Sequence, residues 1–200
     1  DLIQGRAGAD TLIGLDGDDV LNGLRGADSL AGGLGSDTYF IDSAADAVLE
    51  MAGQGANDRL FTEVSYTLAA GAEIEQMQAA TGARALALTG NGFAQMIIGT
   101  RAADTLDGGG GNDTLRGGEG ADLFVFGAGF GRDQINDFAA GTAGTDVIRF
   151  APGLFTGLAD LLARTAQQGN NAVISTAGGD VLVLAGVNKA ALVAGDFLFG

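Results

Sequence analysis

Aspartate recurs every nine residues from the start of the chain, at Asp1, Asp10, Asp19, Asp28 and Asp37. Two positions after each stands a core-type residue: Ile3, Leu12, Leu21, Leu30 and Tyr39. From the second aspartate on, one glycine lies five residues before it (Gly5, Gly14, Gly23, Gly32) and another two before it (Gly8, Gly17, Gly26, Gly35). The beat returns at Asp104, Asp113 and Asp122, followed by Leu106, Leu115 and Phe124, with Gly108, Gly111, Gly117 and Gly120 in the glycine places of the last two. A fixed period constrains the fold more than local propensity does, because each repeat buries its apolar residue only by stacking on its neighbours. A flexible acidic linker has no reason to keep that register.

Six of the nine residues make a turn and three make a strand. Side chains alternate along a strand, so the residue two after each aspartate points inward. Two nonapeptides form one coil with a turn at each edge, and turns on the same edge are two repeats apart. This predicts an all-β solenoid that stacks Asp1 on Asp19, Asp10 on Asp28, Asp19 on Asp37 and Asp104 on Asp122, with Asp113 on the coil that holds Gln95.

Glycines let the turn backbone take φ > 0 and bring carbonyl oxygens together with no Cβ in the way. Aspartate adds a carboxylate to that ring. Calcium takes six to eight oxygen ligands and suits such a set. The nitrogen and sulfur ligands of a zinc site are missing, since the chain has no His and no Cys. The candidate metal ligands are the aspartates Asp1, Asp10, Asp19, Asp28, Asp37, Asp104, Asp113 and Asp122 with the repeat glycines Gly5, Gly8, Gly14, Gly17, Gly23, Gly26, Gly32, Gly35, Gly108, Gly111, Gly117 and Gly120, holding several Ca2+ ions. Some repeats depart from the pattern. Arg6, Leu15 and Leu24 occupy the second glycine place of the first block, and Ala102 replaces a glycine before Asp104, which predicts a strained or weakly binding turn. The stretch from Gly90 to Gln95 keeps the beat without an aspartate and is expected to hold no metal.

The net charge is −15, and 20 of the 25 acids are Asp, the shorter side chain that suits tight turns. Such a chain repels itself unless counter-ions bind; about five calcium ions would offset on the order of ten charges. With nine Arg and one Lys in no basic stripe, a nucleic-acid partner is not expected. No apolar run reaches membrane-spanning length. There is no N-terminal signal peptide, and the chain opens within a repeat, so it is expected to be part of something longer. Lacking His, it has no Ser-His-Asp, Cys-His or HExxH constellation, and it is expected not to be an enzyme. Tyr39 and Tyr66 fit the core.

The organisation expected is a first repeat block over residues 1–42, an irregular β-solenoid spacer over 43–89, a second block over 90–126 and a C-terminal region over 127–200. In the spacer, Asp46 continues the nine-residue register with Val48 two after it; Asp46, Glu50 and Asp58 either add a metal ligand or are solvated acids, the second reading favoured, and Glu73 to Met77 is a strand or one helical turn. Beyond residue 126 the beat stops. There Gly131–Phe138, Asp146–Phe150, Val173–Ile174, Val181–Leu184 and Asp196–Phe199 are expected as strands and Leu158–Ala166 as a short helix, together an atypical end covering the last coil.

The two blocks, with their GGxGxDxUx pattern, resemble the RTX (repeats-in-toxin) family of secreted bacterial proteins. The stretch from Asp37 to Asp42 and on to Glu50, Tyr66 and Leu88 is similar to the spacer between RTX blocks. Gly129 to Asp133, Asp137-Phe138 and the final Asp196-Phe197-Leu198-Phe199 resemble the C-terminal region of serralysin-type exoproteins. The resemblance implies a calcium-binding parallel β-roll with a mainly β capping subdomain and one short helix. It also implies secretion from a bacterium to the outside or the cell surface through a type I channel, with Asp196, Phe197, Leu198 and Phe199 as an uncleaved signal. The alternative is a calcium-dependent polysaccharide-binding, adhesive or self-assembling surface-layer module, with Arg6, Arg25, Arg101 and Arg116 beside the turns to meet a polyanion, or else paired with nearby acids.

Overall fold

The computed structural model describes residues 1–82, 84–141 and 146–200. The chain winds into a parallel β-roll in which each coil gives one short strand to each of two faces. One face is an unbroken parallel ribbon of Leu2–Gln4, Val20–Asn22, Thr38–Ile41, Arg59–Thr62, Gln76–Ala79, Met96–Ile98, Thr114–Arg116, Arg132–Ile135 and Val181–Leu184. The antiparallel strands Asn171–Ser175 and Thr165–Gln168 close its far end. The other face comes in two pieces. Thr11–Asp16, Ser29–Leu34 and Ala47–Val48 form the first; Tyr66–Thr67, Ala87–Thr89, Thr105–Asp107, Leu123–Phe126, Val147–Phe150 and Phe197–Phe199 form the second. Among the described residues no helix is long and apolar enough to cross a membrane.

The strand register converts the sequence period into a stacked core. On the unbroken face Ile3, Leu21, Tyr39, Leu60, Met77, Ile97, Leu115, Ile135 and Leu184 lie one above another. All but Ile3 are fully buried. Leu12, Leu30 and Val48, then Tyr66, Leu88, Leu106, Phe124, Ile148 and Phe197, make the matching columns opposite. A three-residue strand buries only its middle side chain, as the exposed–buried alternation shows. Each such residue contributes about 1.5–3 kcal/mol, a thin return for ordering a whole nonapeptide. The C-terminal end is better filled. Phe126 packs on Phe130 and Phe150, and Phe150 on Phe155 and Phe197, with ring centroids 4.8–6.4 Å apart.

The coil is 18 residues long within the blocks, 21 from Asp37 to Asp58 and 17 from Asp58 to Glu75. Where it slips, the second face breaks between Ala47–Val48 and Tyr66–Thr67. The Tyr66 hydroxyl donates to the Asp46 carbonyl at 3.0 Å across that gap. Gln76–Ala79 is a strand, settling the choice at Glu73 to Met77. The helix runs only over Leu158–Ala163, with Leu161 buried, and stops short of the expected Ala166. Residues Thr165–Gln168 are drawn into the antiparallel hairpin instead. Past residue 126, where the beat stops, the coil goes on through Arg132–Ile135 and Val147–Phe150.

Candidate metal centres

At each edge of the roll the acids form a ladder with one repeated geometry. The Oδ1 of each ladder aspartate accepts the backbone N–H of the residue one coil earlier. Asp28 accepts from Asp10 at 2.8 Å, Asp37 from Asp19 at 2.8 Å, Asp122 from Asp104 at 2.8 Å and Asp113 from Gln95 at 2.7 Å. The N-terminal ammonium of Asp1 donates to Asp19 at 2.7 Å. These are the stacked partners that the period predicts. The ladders continue through Asp46, nine residues after Asp37, and through three acids that the beat does not reach, Asp58, Asp133 and Asp146; these four accept from Asp28, Asp37, Asp113 and Asp122 at 2.8–3.0 Å. Asp58 donates in turn to Glu75 at 2.6 Å. Each of the four aspartates stands two residues before a buried apolar residue (Val48, Leu60, Ile135, Ile148), a doublet that reveals the last three once the nine-residue spacing is relaxed.

Asp46, Glu50 and Asp58 are therefore not the solvated acids expected. They are 6%, 2% and 1% exposed. The irregular turns hold them inside the edge because their backbone continues the coil, not a surface loop.

The second carboxylate oxygen separates two kinds of turn. In Asp19, Asp28, Asp37, Asp58, Asp113, Asp122 and Asp133, Oδ2 is buried and has no hydrogen-bond partner. In Asp10 and Asp104 it is satisfied: Arg6 N–H reaches Asp10 at 2.7 Å, and Thr100 N–H and Oγ reach Asp104 at 2.5 and 2.8 Å. The difference lies four residues before the aspartate. Leu15, Leu24, Gly33, Gly109 and Gly118, ahead of Asp19, Asp28, Asp37, Asp113 and Asp122, all have φ between 61° and 106°. Arg6 and Thr100 do not appear among the positive-φ residues, and their amides swing onto the carboxylate. Within the repeats the left-handed conformation thus keeps a turn open; Asp58, in the spacer, is open although Gln54 four residues before it is not left-handed. Ala102 also stays out of the left-handed region, so its turn is closed rather than strained.

The glycines shape the open turns. Gly14, Gly23, Gly32, Gly108 and Gly117 each lie against the Oδ2 of their own aspartate, in the space a Cβ would need, as Gly5 does in the closed turn of Asp10. Gly26, Gly35, Gly111 and Gly120 lie against the carbonyls of Gly8, Gly17, Phe93 and Ala102 one coil earlier. Carboxylates and carbonyls of adjacent coils therefore converge on the same space.

In the stretch lacking an aspartate, Gln95 Oε1 accepts from Asn91 N–H at 3.1 Å and Nε2 donates to Asn91 Oδ1 at 2.9 Å. A neutral amide closes this turn.

Burial dominates the electrostatics. It pushes Asp113 and Asp133 up to about 7 and Asp58 and Asp122 to about 6, against the lowering effect of the ladder hydrogen bonds. Asp37 and Asp146 are raised for the same reason. Side-chain cations stay outside: Arg101 faces Glu119 at 3.9 Å and Arg116 faces Asp137 at 3.5 Å, both guanidinium groups well exposed. Orphaned, buried, oxygen-only donors fit a hard divalent cation, which would give each Oδ2 the partner it lacks.

The family model for the RTX calcium-binding nonapeptide repeat matches four copies, over residues 1–39, 89–124 and 98–135. The last span takes in Gly129, Gly131 and Asp133, a copy displaced from the nine-residue beat. No curated protein sequence matches the chain. Among solved structures, the extracellular lipase LipA from Serratia marcescens aligns with the whole chain at 21% identity and a TM-score of 0.51. The chain spans 40% of the length of that lipase. The likeness is one of fold, a β-roll in both. Over residues 1–39 and 89–135 the chain is similar to the RTX calcium-binding nonapeptide repeat family.

Proposed function

We propose that this chain is a calcium-dependent folding and secretion module of a larger extracellular bacterial protein, with no active site of its own. The observation that carries the reading is the set of buried carboxylate oxygens without partners, arrayed along both edges of a thin core. Cation binding to a site that forms only on folding is folding free energy. Extracellular calcium modules bind at roughly 10⁻⁴–10⁻³ M, so such a chain stays open where calcium is scarce and closes outside the cell. In this reading the ions occupy the open turns of Asp19, Asp28, Asp37, Asp113, Asp122 and Asp133. The closed turns of Asp10 and Asp104 contribute stacking instead.

The terminal residues support the order of events. Asp196 and Phe197 are buried, and Phe197–Phe199 pairs in parallel with Val147–Phe150 as the last strand of its face. A type I channel reads Asp196 to Phe199 before that strand forms, and folding outside then hides half of the signal. The test is a passenger protein fused ahead of the chain in a bacterium that expresses such a channel. Removing residues 196–200 is expected to retain the passenger inside, and undiminished export of the truncated fusion contradicts the reading.

A second reading, calcium-dependent association, is favoured by Ile13, Leu15, Leu34, Leu49 and Met51, all exposed beside the break in the second face. Sedimentation of the calcium-loaded chain separates the two, since a monomer at all concentrations excludes self-assembly.

A further inference from the structure

The first ladder ends in a cluster that the nonapeptide does not describe. The register that sets Leu30 against Val48 carries on to place Glu50 where the column of Gly14 and Gly32 would continue. A carboxylate thus stands where the repeats have no side chain. Glu50 Oε2 accepts a hydrogen bond from the Tyr39 hydroxyl, whose oxygen in turn accepts Gly32 N–H at 2.9 Å. This contact fixes the carboxylate and leaves Oε1 buried with no partner. Asp37 Oδ2 and Asp58 Oδ2 are buried and unpartnered beside it, in residues 0% and 1% exposed. One oxygen from each of the three acids lies within 4.8 Å of the other two. Calcium binds oxygen at about 2.3–2.6 Å, so ligands of one ion stand no more than about 5 Å apart. The Gly35 carbonyl closes on Gly55 and the Asp58 carboxylate, bringing a neutral oxygen to the same place.

We propose that Asp37, Glu50 and Asp58 bind one divalent cation, calcium by its fit, in a three-carboxylate site that terminates the first repeat block. The proposal rests on reading the repeats as calcium sites and adds one that their motif lacks. Glu50 is the distinguishing ligand. It brings a third charge, and affinity in calcium sites rises with ligand charge, so this site fills before those of the repeats.

Tyrosine makes the site observable. The chain has two Tyr and no Trp, and Tyr39 holds Glu50 directly. Terbium, an oxygen-seeking stand-in for calcium, emits when excited through a nearby tyrosine. Titrating the full chain with terbium is expected to give sensitised emission at the lowest metal concentrations, lost in Tyr39→Phe and kept in Tyr66→Phe. Glu50→Gln is expected to bind one calcium ion fewer by equilibrium dialysis and to need at least about tenfold more terbium. Asp113→Asn, in the second block, is expected to lose its own ion and leave the Tyr39 signal intact. An unchanged ion count and unchanged half-saturation in Glu50→Gln overturn the proposal, and so does a Glu50→Gln chain that folds better in chelator while binding the same number of ions, which marks a protonated Glu50. If Glu50→Gln does not fold, Glu50→Asp keeps the charge and shortens its reach; half-saturation equal to the parent there also overturns it. A parent chain that binds no calcium at all removes the reading of the repeats themselves, an outcome distinct from loss of this site alone.

Discussion

Within the repeat blocks, the residue four places before an aspartate decides what its turn can hold. Leu15 and Leu24 take φ of 78° and 61°, a conformation that costs a non-glycine residue about 1–2 kcal/mol. Strain of this kind persists where the surrounding structure enforces it, and here it keeps the carboxylates of Asp19 and Asp28 clear of the turn amides. Leu15→Gly is expected to raise the melting temperature of the calcium-loaded chain, by up to about 1 kcal/mol of stability once the greater freedom of glycine in the unfolded chain is offset. Gly35→Ala goes the other way: at φ 136° its Cβ meets the Gly17 carbonyl, and more than about 1 kcal/mol is lost. Thr100→Gly tests the rule itself. It removes the hydroxyl donor, lets the backbone N–H swing off Asp104 Oδ2 as the residue takes positive φ, and is expected to add one bound calcium ion per chain; an unchanged count shows that the closed turn has another cause. The aspartates were legible because their spacing is regular. The open or closed state of each turn was not, because leucine at positive φ leaves no mark in a sequence.

At the scale of the coil, the ladders couple stability to acidity in opposite senses with and without calcium. Burial holds Asp113 and Asp133 near 7 and Asp58 and Asp122 near 6 in the folded chain, above the unfolded value of about 4. Between those values the folded chain binds more protons, so its stability falls as pH rises. In chelator the roll is therefore expected to be most stable below about pH 4 and to lose that contribution by about pH 7. With calcium bound, protons compete for the same oxygens, and lowering the pH through that window weakens the loaded form. Thermal melts from pH 4 to 8 with calcium and with chelator check this, and curves that slope the same way contradict it. The two repeat blocks and their inward columns were readable from the period alone. Asp58, Asp133 and Asp146 were hidden because the coil lengthens to 21, 20 and 24 residues around them, respectively. Their Asp-x-apolar doublets survive the change of spacing, since the strand keeps its inward residue while the turn absorbs the extra length. The helix ends before the expected Ala166 because Thr165 and Ala166 pair with Ile174 and Val173, a contact no local pattern reports.

The whole molecule combines a net charge of −15 with an apolar column one residue wide in most coils. Only the C-terminal end, with its packed phenylalanines, has the core of an ordinary domain. On the proposed function, cation binding is what closes the roll, and calcium would serve better than magnesium because irregular rings of carbonyls and carboxylates suit its larger, more flexible coordination. The solenoid was legible at this scale because a repeat specifies its own stacking; the split second face was not, because it follows from coil lengths that slip in the spacer. The most direct measurement is far-UV circular dichroism of the chain at neutral pH during a calcium titration from chelator, with magnesium as the control. The account predicts weak β signal in chelator, a cooperative rise with calcium and little response to magnesium. A full β spectrum in chelator that calcium leaves unchanged would contradict it.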